Sequence, residues 1–310
     1  MTGIHLLPVE ASSLAGRVDA VFLAVFLITG LVALAIFALV VFFALRYRQG
    51  SPADRSNPPA NNRVLEIGWV VTPLFIFLGL FVWAASRYAD IYRPPADAMP
   101  VFVVAKQWMW KLEHPNGRRE IDELHVPVGR PVRLVMTSQD VIHSFFVPAF
   151  RIKQDVVPGR YTSLWFTATR AGEYHLFCAE YCGSQHAAMG GRIVAMEPAA
   201  FARWLAQGSP AVGMAARGLE LFRRYGCSGC HARESSVHAP KLEGLLGRPV
   251  HLADGRSLVA DEAYVRDSVL LPRKDVVAGF EPIMPSFAGQ ISEEDLMAII
   301  EYIRSTGGPS

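Results

Sequence analysis

The sequence has few cysteines and almost no net charge. Only four of its 310 residues are cysteines, and the net charge is +2. Four cysteines are too few to hold a chain of this length together by disulfides, which argues against a disulfide-rich scaffold. A nearly neutral chain has no basic excess with which to neutralise phosphates, which argues against a nucleic-acid binder. The length is typical of two or three domains.

Charged residues are also missing from two long stretches near the N-terminus. Val21–Leu45 and Ile67–Ala85 contain none over 25 and 19 residues. A helix that crosses the core of a bilayer requires about 20 apolar residues, whereas the apolar part of a signal peptide is shorter. Two buried helices of a soluble core are the alternative, but neither stretch has a polar face. The sequence therefore predicts a tail over 1–20 and a transmembrane helix hairpin over 21–93.

Basic residues are concentrated in the loop 46–66 between the two apolar stretches. This loop contains four arginines, whereas the first 20 residues contain only Arg17. By the positive-inside rule the loop is cytoplasmic and both termini lie outside. We therefore expect a two-pass protein of a bacterial inner membrane, with its water-facing domains on the periplasmic side.

Beyond Pro100 the sequence changes to short runs rich in Val, Tyr, Phe and Trp, separated by turn residues. Asn116-Gly117 is a strong signal for a β-hairpin turn. Five runs are strand candidates: Val101–Ala105, Val132–Thr137, Tyr161–Ala168, Glu173–Cys178 and Gly191–Ala195. Five or more strands within about 100 residues predict an all-β sandwich or barrel over 94–206.

The last third of the chain has helical periodicity at both of its ends. A linker rich in small residues is predicted over 207–213. Met214–Tyr225 and Glu293–Ile303 have apolar residues at helical spacing, and Ser292 is suited to cap the second helix before three acidic residues. The sequence therefore predicts an all-α domain over 214–310.

The first chemical motif is Cys227-Ser228-Gly229-Cys230-His231. Two cysteines three positions apart and followed directly by histidine are the signature of covalent haem c attachment. In such a site the thiols form thioethers to the haem vinyl groups, and the adjacent imidazole lies under the iron. A disulfide, a zinc half-site and a thioredoxin-like redox pair are the alternatives. No second zinc-type pair and no βαβ pattern accompanies the motif in the sequence.

The sequence around this motif resembles a class I cytochrome c. The stretch Ala239–Arg248 is similar to the segment that follows the haem motif in that family, with Ala239 in place of the usual glycine. The resemblance implies that the Pro240 carbonyl accepts a hydrogen bond from His231, which orients the imidazole and makes it a stronger ligand. It also implies that Arg248 neutralises a haem propionate.

The sixth ligand of the haem iron has to come from further along the chain. Met284 lies in a proline-containing loop before the last helix, where class I cytochromes c have their axial methionine. A thioether raises the haem potential, which suits electron transfer. Met297 lies beside the apolar helical stripe and is interpreted as core, whereas His238 and His251 would give a bis-histidine haem. The resemblance favours Met284.

A second cluster of metal-binding residue types lies between Cys178 and Met189. Together with Cys182 and His186, these residues bring two thiols, an imidazole and a thioether within twelve residues. Soft sulfur ligands combined with imidazole favour copper. Because two thiolates can bridge two copper ions, and each ion then needs an imidazole, a second histidine is required from another loop.

His143, between predicted strands, is the histidine that best meets this requirement. His125 and His175 are alternatives, but their strand positions favour structural roles. A Cys178–Cys182 disulfide would also explain the cysteine pair, although the surrounding histidines and methionine disfavour it. The sequence thus predicts a dinuclear copper centre.

Residues 15–205 resemble subunit II of haem–copper cytochrome c oxidases. The resemblance rests on Gln107–Trp110, His143–Phe145, Val157–Arg160 and the whole Cys178–Met189 loop. It implies a cupredoxin-like Greek-key fold and assembly with oxidase subunits I and III. The family's pattern assigns one copper to His143 and Met189 and the other to His186 and the main-chain carbonyl of Glu180.

The same resemblance assigns three further roles. The Glu180 side chain would bind Mg²⁺ or Mn²⁺ at the contact with subunit I. Trp108 would be the aromatic residue through which electrons reach the copper, although Met109 stands where the family commonly has tyrosine. Glu66 would lie at the mouth of a proton channel; considered alone, it is an ordinary acidic residue at a helix start.

The two resemblances together predict the subunit through which electrons enter a respiratory terminal oxidase, with a covalently attached donor. Such a tether replaces diffusional encounter with a high effective concentration. Another cytochrome c or a quinol-oxidising complex would supply electrons to the haem, and subunit I would reduce O₂ and pump protons. The two apolar stretches contain no histidine and hold no haem of their own. A copper-containing nitrogen-oxide reductase subunit and a membrane-anchored copper chaperone are the alternatives.

Overall fold

The structure is a computed structural model that describes residues 7–56, 62–207, 212–232 and 234–307. Contacts divide the chain into two compact units, one formed by 14–93 and the other by the residues before 14 together with those from 94 onward. The predicted linker over 207–213 falls mostly on 208–211, outside the described residues, as does the start of the predicted N-terminal tail.

Two long apolar helices form the first unit. Helix α1 (Ala15–Arg46) and helix α2 (Arg63–Ile91) contain 18-residue windows with mean hydropathies of 3.0 and 2.1, and neither window is buried within the protein. The cap residue Asn62 directly precedes helix α2, and its side chain accepts a hydrogen bond from the Leu65 amide. By length and composition both helices can cross a membrane. Helix α1 begins six residues before the predicted span, because Ala15–Ala20 continue the same helix.

Ten strands form a β-sandwich after residue 94. They are β1 (Met99–Lys106), β2 (Met109–Glu113), β3 (Arg119–Ile121), β4 (Glu123–Pro127), β5 (Pro131–Ser138), β6 (His143–Val147), β7 (Ile152–Val156), β8 (Thr162–Thr167), β9 (Gly172–Cys178) and β10 (Gly190–Met196). One sheet has the order β3-β2-β1-β5-β8 and the other β4-β10-β9-β6-β7. Strands β1 and β5 are parallel, as are β4 and β10. The predicted all-β cupredoxin-like class is confirmed.

The five predicted strands correspond to β1, β5, β8, β9 and β10. The Asn116-Gly117 pair lies between β2 and β3, which are antiparallel, and Gly117 has a φ of +86°. The five shorter strands escaped prediction. The described part of the N-terminal segment adds a bridge from Ser12 to Ala168, and the Ser12 hydroxyl donates to the Phe150 carbonyl at 2.8 Å.

Strand β1 is buried on both of its faces. Val101, Val103 and Ala105 alternate with Phe102 and Val104, and every one of the five is at most 3% exposed. Because successive side chains point to opposite faces of a sheet, a continuous apolar run indicates that both faces are covered. The first face lies inside the sandwich. Phe102 and Val104 on the second face belong to the same core cluster as the C-terminal domain.

The C-terminal domain consists mainly of helices. They are α4 (Met214–Arg224), α5 (Ser228–His231), α6 (Glu262–Leu270) and α7 (Glu293–Ser305), and α3 (Pro198–Gln207) precedes them at the end of the sandwich. Ser292 caps α7 by accepting a hydrogen bond from the Asp295 amide, as predicted. The all-α prediction requires one addition, a hairpin of β11 (Pro249–His251) and β12 (Ser257–Val259). Its turn is stabilised by Gly255, which has a φ of +86°.

Candidate functional site

The structure brings the predicted copper ligands together at one end of the sandwich. The Sγ atoms of Cys178 and Cys182 lie 3.8 Å apart, and both cysteines are free. His143 Nδ1 lies 3.9 Å from Cys178 Sγ, and His186 Nδ1 lies 3.5 Å from Cys182 Sγ. Two further donors complete the cluster: Met189 Sδ at 3.7 Å from Cys182 Sγ, and the Glu180 carbonyl at 3.3 Å from Cys178 Sγ.

Strand ends and one tight loop produce this convergence. His143 is the first residue of β6, and Cys178 is the last residue of β9. The Cys178 amide donates to the Met189 carbonyl at 3.1 Å, which closes the loop between β9 and β10. His143 is fully buried, and Cys178, Cys182 and Met189 are at most 7% exposed. These four side chains are therefore sheltered from water, whereas His186, in the loop between β9 and β10, is partly exposed.

The chemistry of these donors fits two soft metal ions better than it fits a structural bridge. The thiols are too far apart for a disulfide, in which the sulfurs are about 2.05 Å apart. Burial disfavours ionisation of Cys178, but hydrogen bonds from His143 and from backbone groups outweigh it and lower the pKa of this thiol to about 6. Burial, together with the negative charge on Cys178, raises the pKa of Cys182 to about 12. A bound cation would favour both thiolates at once.

Asp140, which sequence reasoning missed, orients the His143 ring. His143 Nε2 donates to Asp140 Oδ1 at 2.8 Å, which leaves Nδ1 on the side of the sulfurs. The other carboxylate oxygen of Asp140 accepts a hydrogen bond from the Gln107 amide at 2.7 Å. Burial opposes the charge of Asp140, but the hydrogen bonds from Gln107 and His143 lower its pKa. Only its position three residues before His143 hinted at this role.

Trp108 lies directly beside the thiol cluster. Its indole Nε1 donates to the carbonyl of Cys182 at 3.2 Å, and the side chain of Gln107 donates to the same carbonyl at 2.8 Å. Gly183 permits this approach, because a Cβ at that position would lie 2.9 Å from the side-chain Nε2 of Gln107. Trp110 is fully buried and packs on His143 and Phe145, in agreement with a core role.

The alternative histidines lie away from the thiols. His125 Nδ1 contacts the Glu120 carboxylate at 2.5 Å, and the same carboxylate contacts His114 Nε2 at 2.9 Å. Glu120, Glu123 and His125 form a separate group of metal-ligating residue types. Glu123 is also paired with Arg192. His175 is exposed on β9 and packs against the ring of Phe177 at 4.0 Å.

The haem motif forms a short helix beside an open cleft. Cys227 precedes α5, Cys230 and His231 lie within it, and all three are partly exposed. His231 Nδ1 lies 2.9 Å from the Pro240 carbonyl, which is the contact that the cytochrome c resemblance implies. A cavity of about 500 Å³ is lined by residues 230–232 and 237–241 among others. These residues fit a haem attached to the two cysteines.

The structure also locates the other haem residues named from the sequence. Met284 is partly buried and packs against the core of the C-terminal domain, whereas Met297 is a fully enclosed core residue. His238 stacks on Phe280 at 4.5 Å, and His251 Nδ1 contacts the Ser257 hydroxyl at 2.8 Å, both at exposed positions. Arg248 is exposed, with its guanidinium against Gly244.

The two remaining predicted site residues are carboxylates at exposed positions. Glu180 projects from the loop between β9 and β10, while its carbonyl belongs to the donor cluster. Glu66 lies in the first turn of α2, and its amide donates to the Asn62 carbonyl at 2.9 Å. Glu66 thus lies near the positive end of the helix dipole, a position that is compatible with either of its two predicted roles.

Comparison with known families agrees with both halves of this description. The family described as "Cytochrome C oxidase subunit II, periplasmic domain" matches residues 111–196. The family "Cytochrome c" matches residues 215–307. The first match contains every copper-ligand candidate, and the second contains the haem motif and Met284.

Individual relatives extend the similarity to most of the chain. Cytochrome c oxidase subunit 2 of Alkalihalophilus pseudofirmus is 30% identical over 90% of this chain and 84% of its own length. The alternative cytochrome c oxidase subunit 2 of Bradyrhizobium diazoefficiens is 27% identical over 68% of this chain and 87% of its own length. The solved periplasmic domain of cytochrome oxidase subunit II of Bradyrhizobium japonicum is 31% identical, covering 37% of this chain and 96% of that domain, with a TM-score of 0.36. The chain therefore belongs to the cytochrome c oxidase subunit 2 family and carries a cytochrome c domain at its C-terminal end.

Proposed function

We propose that this chain is the subunit through which electrons enter a respiratory terminal oxidase of a bacterial inner membrane. It takes single electrons from an external donor, such as another cytochrome c or a quinol-oxidising complex, and delivers them to subunit I. Subunit I reduces O₂ to water and pumps protons, and subunit III completes the assembly. The observation that carries this proposal is the convergence of two thiols, two imidazoles and a thioether beside Trp108.

The donor cluster is suited to hold two copper ions. Cys178 and Cys182 would bridge them, His143 and Met189 would complete one ion, and His186 and the Glu180 carbonyl would complete the other. When bound, the copper pair and haem c supply two one-electron carriers within one chain. The protein's own contribution is rigidity, because buried ligands held by strand ends and one tight loop need little rearrangement when the charge of the site changes.

The cytochrome c domain is suited to hold a covalent haem c. Cys227 and Cys230 would form the thioethers, and His231 and Met284 would be the axial ligands. The Pro240 carbonyl accepts the Nδ1–H of His231, which fixes the ring and leaves Nε2 free to bind iron. Arg248 would pair with a propionate.

Contacts with the other oxidase subunits follow from the exposed carboxylates. We assign the Glu180 carboxylate to a Mg²⁺ or Mn²⁺ ion shared with subunit I, and Glu66 to the mouth of a proton channel in that subunit. The excess of arginine in the loop between α1 and α2 supports a cytoplasmic loop, with both termini and both cofactor domains in the periplasm.

Spectroscopy of the purified full chain tests the proposal. Metal analysis should give two copper ions per haem, and electron paramagnetic resonance should show one unpaired electron shared by two copper nuclei. Cys182→Ser should abolish the copper signal and leave the haem spectrum unchanged, while Cys230→Ser should affect only the haem spectrum. A single Cu(I) ion that gives no such signal would indicate a copper chaperone. Turnover of NO or N₂O without O₂ turnover by the assembled complex would indicate a nitrogen-oxide reductase.

A further inference from the structure

The copper domain and the cytochrome c domain share one continuous apolar core. Phe102 and Val104 of β1 and Val135 of β5 are at most 3% exposed, and they cluster with helix residues of the cytochrome domain such as Leu296 and Ile300. Domains of one chain move relative to each other by default, unless their interface is large and hydrophobic. Separation of these two domains would expose the apolar side chains of Phe102 and Val104 to water.

A buried carboxylate of the cytochrome domain pairs with arginines of both domains. Glu262, at the start of α6, is 4% exposed. Arg133 of strand β5 donates to its two oxygens at 2.9 and 2.8 Å in a bidentate pair, and Arg304 of α7 donates to the same carboxylate. Bidentate arginine–carboxylate pairs fix orientation as well as distance. Glu262 therefore fixes α6 and α7 at one position on the sheet.

A second pair has the opposite arrangement, with the carboxylate on the copper domain. Glu113 of β2 is 7% exposed and accepts from both terminal nitrogens of Arg217 on α4, at 2.8 and 3.2 Å. The Met214 amide at the start of α4 also donates to the Pro115 carbonyl at 3.1 Å. Loss of the interface would leave two carboxylates and two arginines without these partners, which is costly for buried groups.

A third contact joins helix α7 to strand β2 and to the segment that follows β5. Glu294, in the first turn of α7, accepts a hydrogen bond from Lys111 Nζ at 3.0 Å. Its two carboxylate oxygens also accept from the side-chain Nε2 of Gln139, at 2.9 and 2.8 Å. Gln139 directly precedes Asp140, the residue that orients the copper ligand His143. The cytochrome domain thus reaches the segment that supports the copper site.

We infer that the cytochrome domain is permanently docked on the copper domain through Glu262, Arg217 and Glu294, and that it does not swing on its tether between donor and copper. Electron transfer within the chain then takes place in one fixed pose. This inference rests on the proposed function for its electron-transfer consequence, but docking itself does not require either cofactor. Glu262, Arg217 and Glu294 are positioning residues in this arrangement.

Cleavage of the linker in the full chain tests the docking directly. A site for a sequence-specific protease is placed at residues 208–211, the chain is cut, and retention of the cytochrome domain on the immobilised membrane-anchored part is measured. The Glu262→Gln variant leaves Arg133 without its charged partner. The apparent Kd of the cleaved cytochrome domain for the membrane-anchored part should therefore rise roughly 100-fold or more. Asp254→Asn removes an exposed ion pair with Arg256 inside the same domain and should leave retention unchanged.

A charge exchange keeps the test valid if Glu262→Gln fails to fold. Lys111→Glu and Glu294→Lys should each weaken retention roughly tenfold, because like charges then face each other, and the double variant should recover it. Release of the wild-type domain after cleavage, or equal retention in all variants, would overturn the inference.

Flash-induced electron transfer in the uncut chain gives the functional readout. The rate from haem to copper should be independent of added glycerol in the wild type and should become viscosity-dependent in Glu262→Gln, with unchanged optical and paramagnetic spectra. A wild-type rate that falls with viscosity would contradict a fixed pose. If the chain lacks haem or copper, the proposed function fails while the cleavage experiment still decides the docking.

Discussion

Asp140 contacts both His143, a proposed copper ligand, and the segment that carries Trp108. Its carboxylate accepts from His143 Nε2 and from the Gln107 amide. Outer partners of this kind typically change metal affinity about 10- to 100-fold when they are removed. We expect Asp140→Ala to lower copper affinity by about that factor, as measured by copper retention against a chelator, and to alter the hyperfine pattern of the copper signal.

A matched control separates this effect from a general loss of charge. Glu173 lies at an exposed position of the same sandwich, five residues before Cys178 on β9, and pairs with Arg192 at 3.6 Å. Glu173→Ala should retain copper as the wild type does. Equal copper retention in both variants would show that the orientation of the His143 ring does not depend on Asp140.

At the residue scale, the sequence was sufficient to name the side chains that converge in the cluster, but not the residues that hydrogen-bond to them. Cys178, Cys182, His186 and Met189 are recognisable because their chemistry is specific and their spacing is short. Gln107 and Asp140 have common side chains, and their roles arise from hydrogen bonds to residues as many as 75 positions away. Such contacts depend on how strands are arranged in the sandwich, which residue type does not encode.

At the scale of helices, Gly218 determines how closely α4 and α7 approach. A Cβ at this position would lie 1.9 Å from the Ala298 carbonyl oxygen and 2.8 Å from Tyr302 Cβ. Gly218→Ala must therefore push the two helices apart, which we expect to destabilise the cytochrome domain by about 1–3 kcal/mol. The measurement is the urea midpoint of unfolding of the full chain, with circular dichroism as the signal.

Ala216 on the same helix offers the control for this substitution. It is exposed on α4, so Ala216→Ser also adds a single heavy atom but meets no neighbouring helix. Its midpoint should stay within experimental error of the wild type. A Gly218→Ala midpoint that equals that of Ala216→Ser would mean that the two helices can separate at little cost.

Elements differ in how well their sequence predicted them. Helices α4 and α7 carry long apolar stripes, and the five predicted strands are long β-type runs. Strands β3 and β6 are three and five residues long, and their pairing depends on hydrogen bonds to other strands rather than on their own pattern. The continuous apolar run of β1 indicated burial on both faces, but only the structure shows that the second cover is the cytochrome domain.

At the scale of the whole molecule, the copper domain and the cytochrome domain form a single compact unit, in which ion pairs lie beside a shared apolar core. A tether alone would raise the effective concentration of the donor while leaving its orientation free. Buried ion pairs add orientation, because their hydrogen-bond geometry is satisfied in one pose only. The combination explains why the interface contains charged residues in places where apolar residues would have sufficed for cohesion.

Acidification should weaken this arrangement through Glu262. Burial disfavours its charge, but Arg133 and then Arg304 outweigh burial and lower its pKa below the ordinary value of 4.5. The unfolded chain therefore binds a proton near pH 4.5 that the folded chain does not, so the stabilisation is complete above pH 4.5 and is lost as pH falls through the depressed pKa. The neighbouring Glu301 acts in the opposite sense, because burial raises its pKa.

We expect the urea midpoint of the C-terminal helical signal to decrease in the wild type once the pH is lowered below 4.5. The decrease should be smaller in Glu262→Gln and steeper in Glu301→Gln. If Glu262→Gln followed the wild-type pH dependence, this carboxylate would not be the group that holds the domains together at neutral pH.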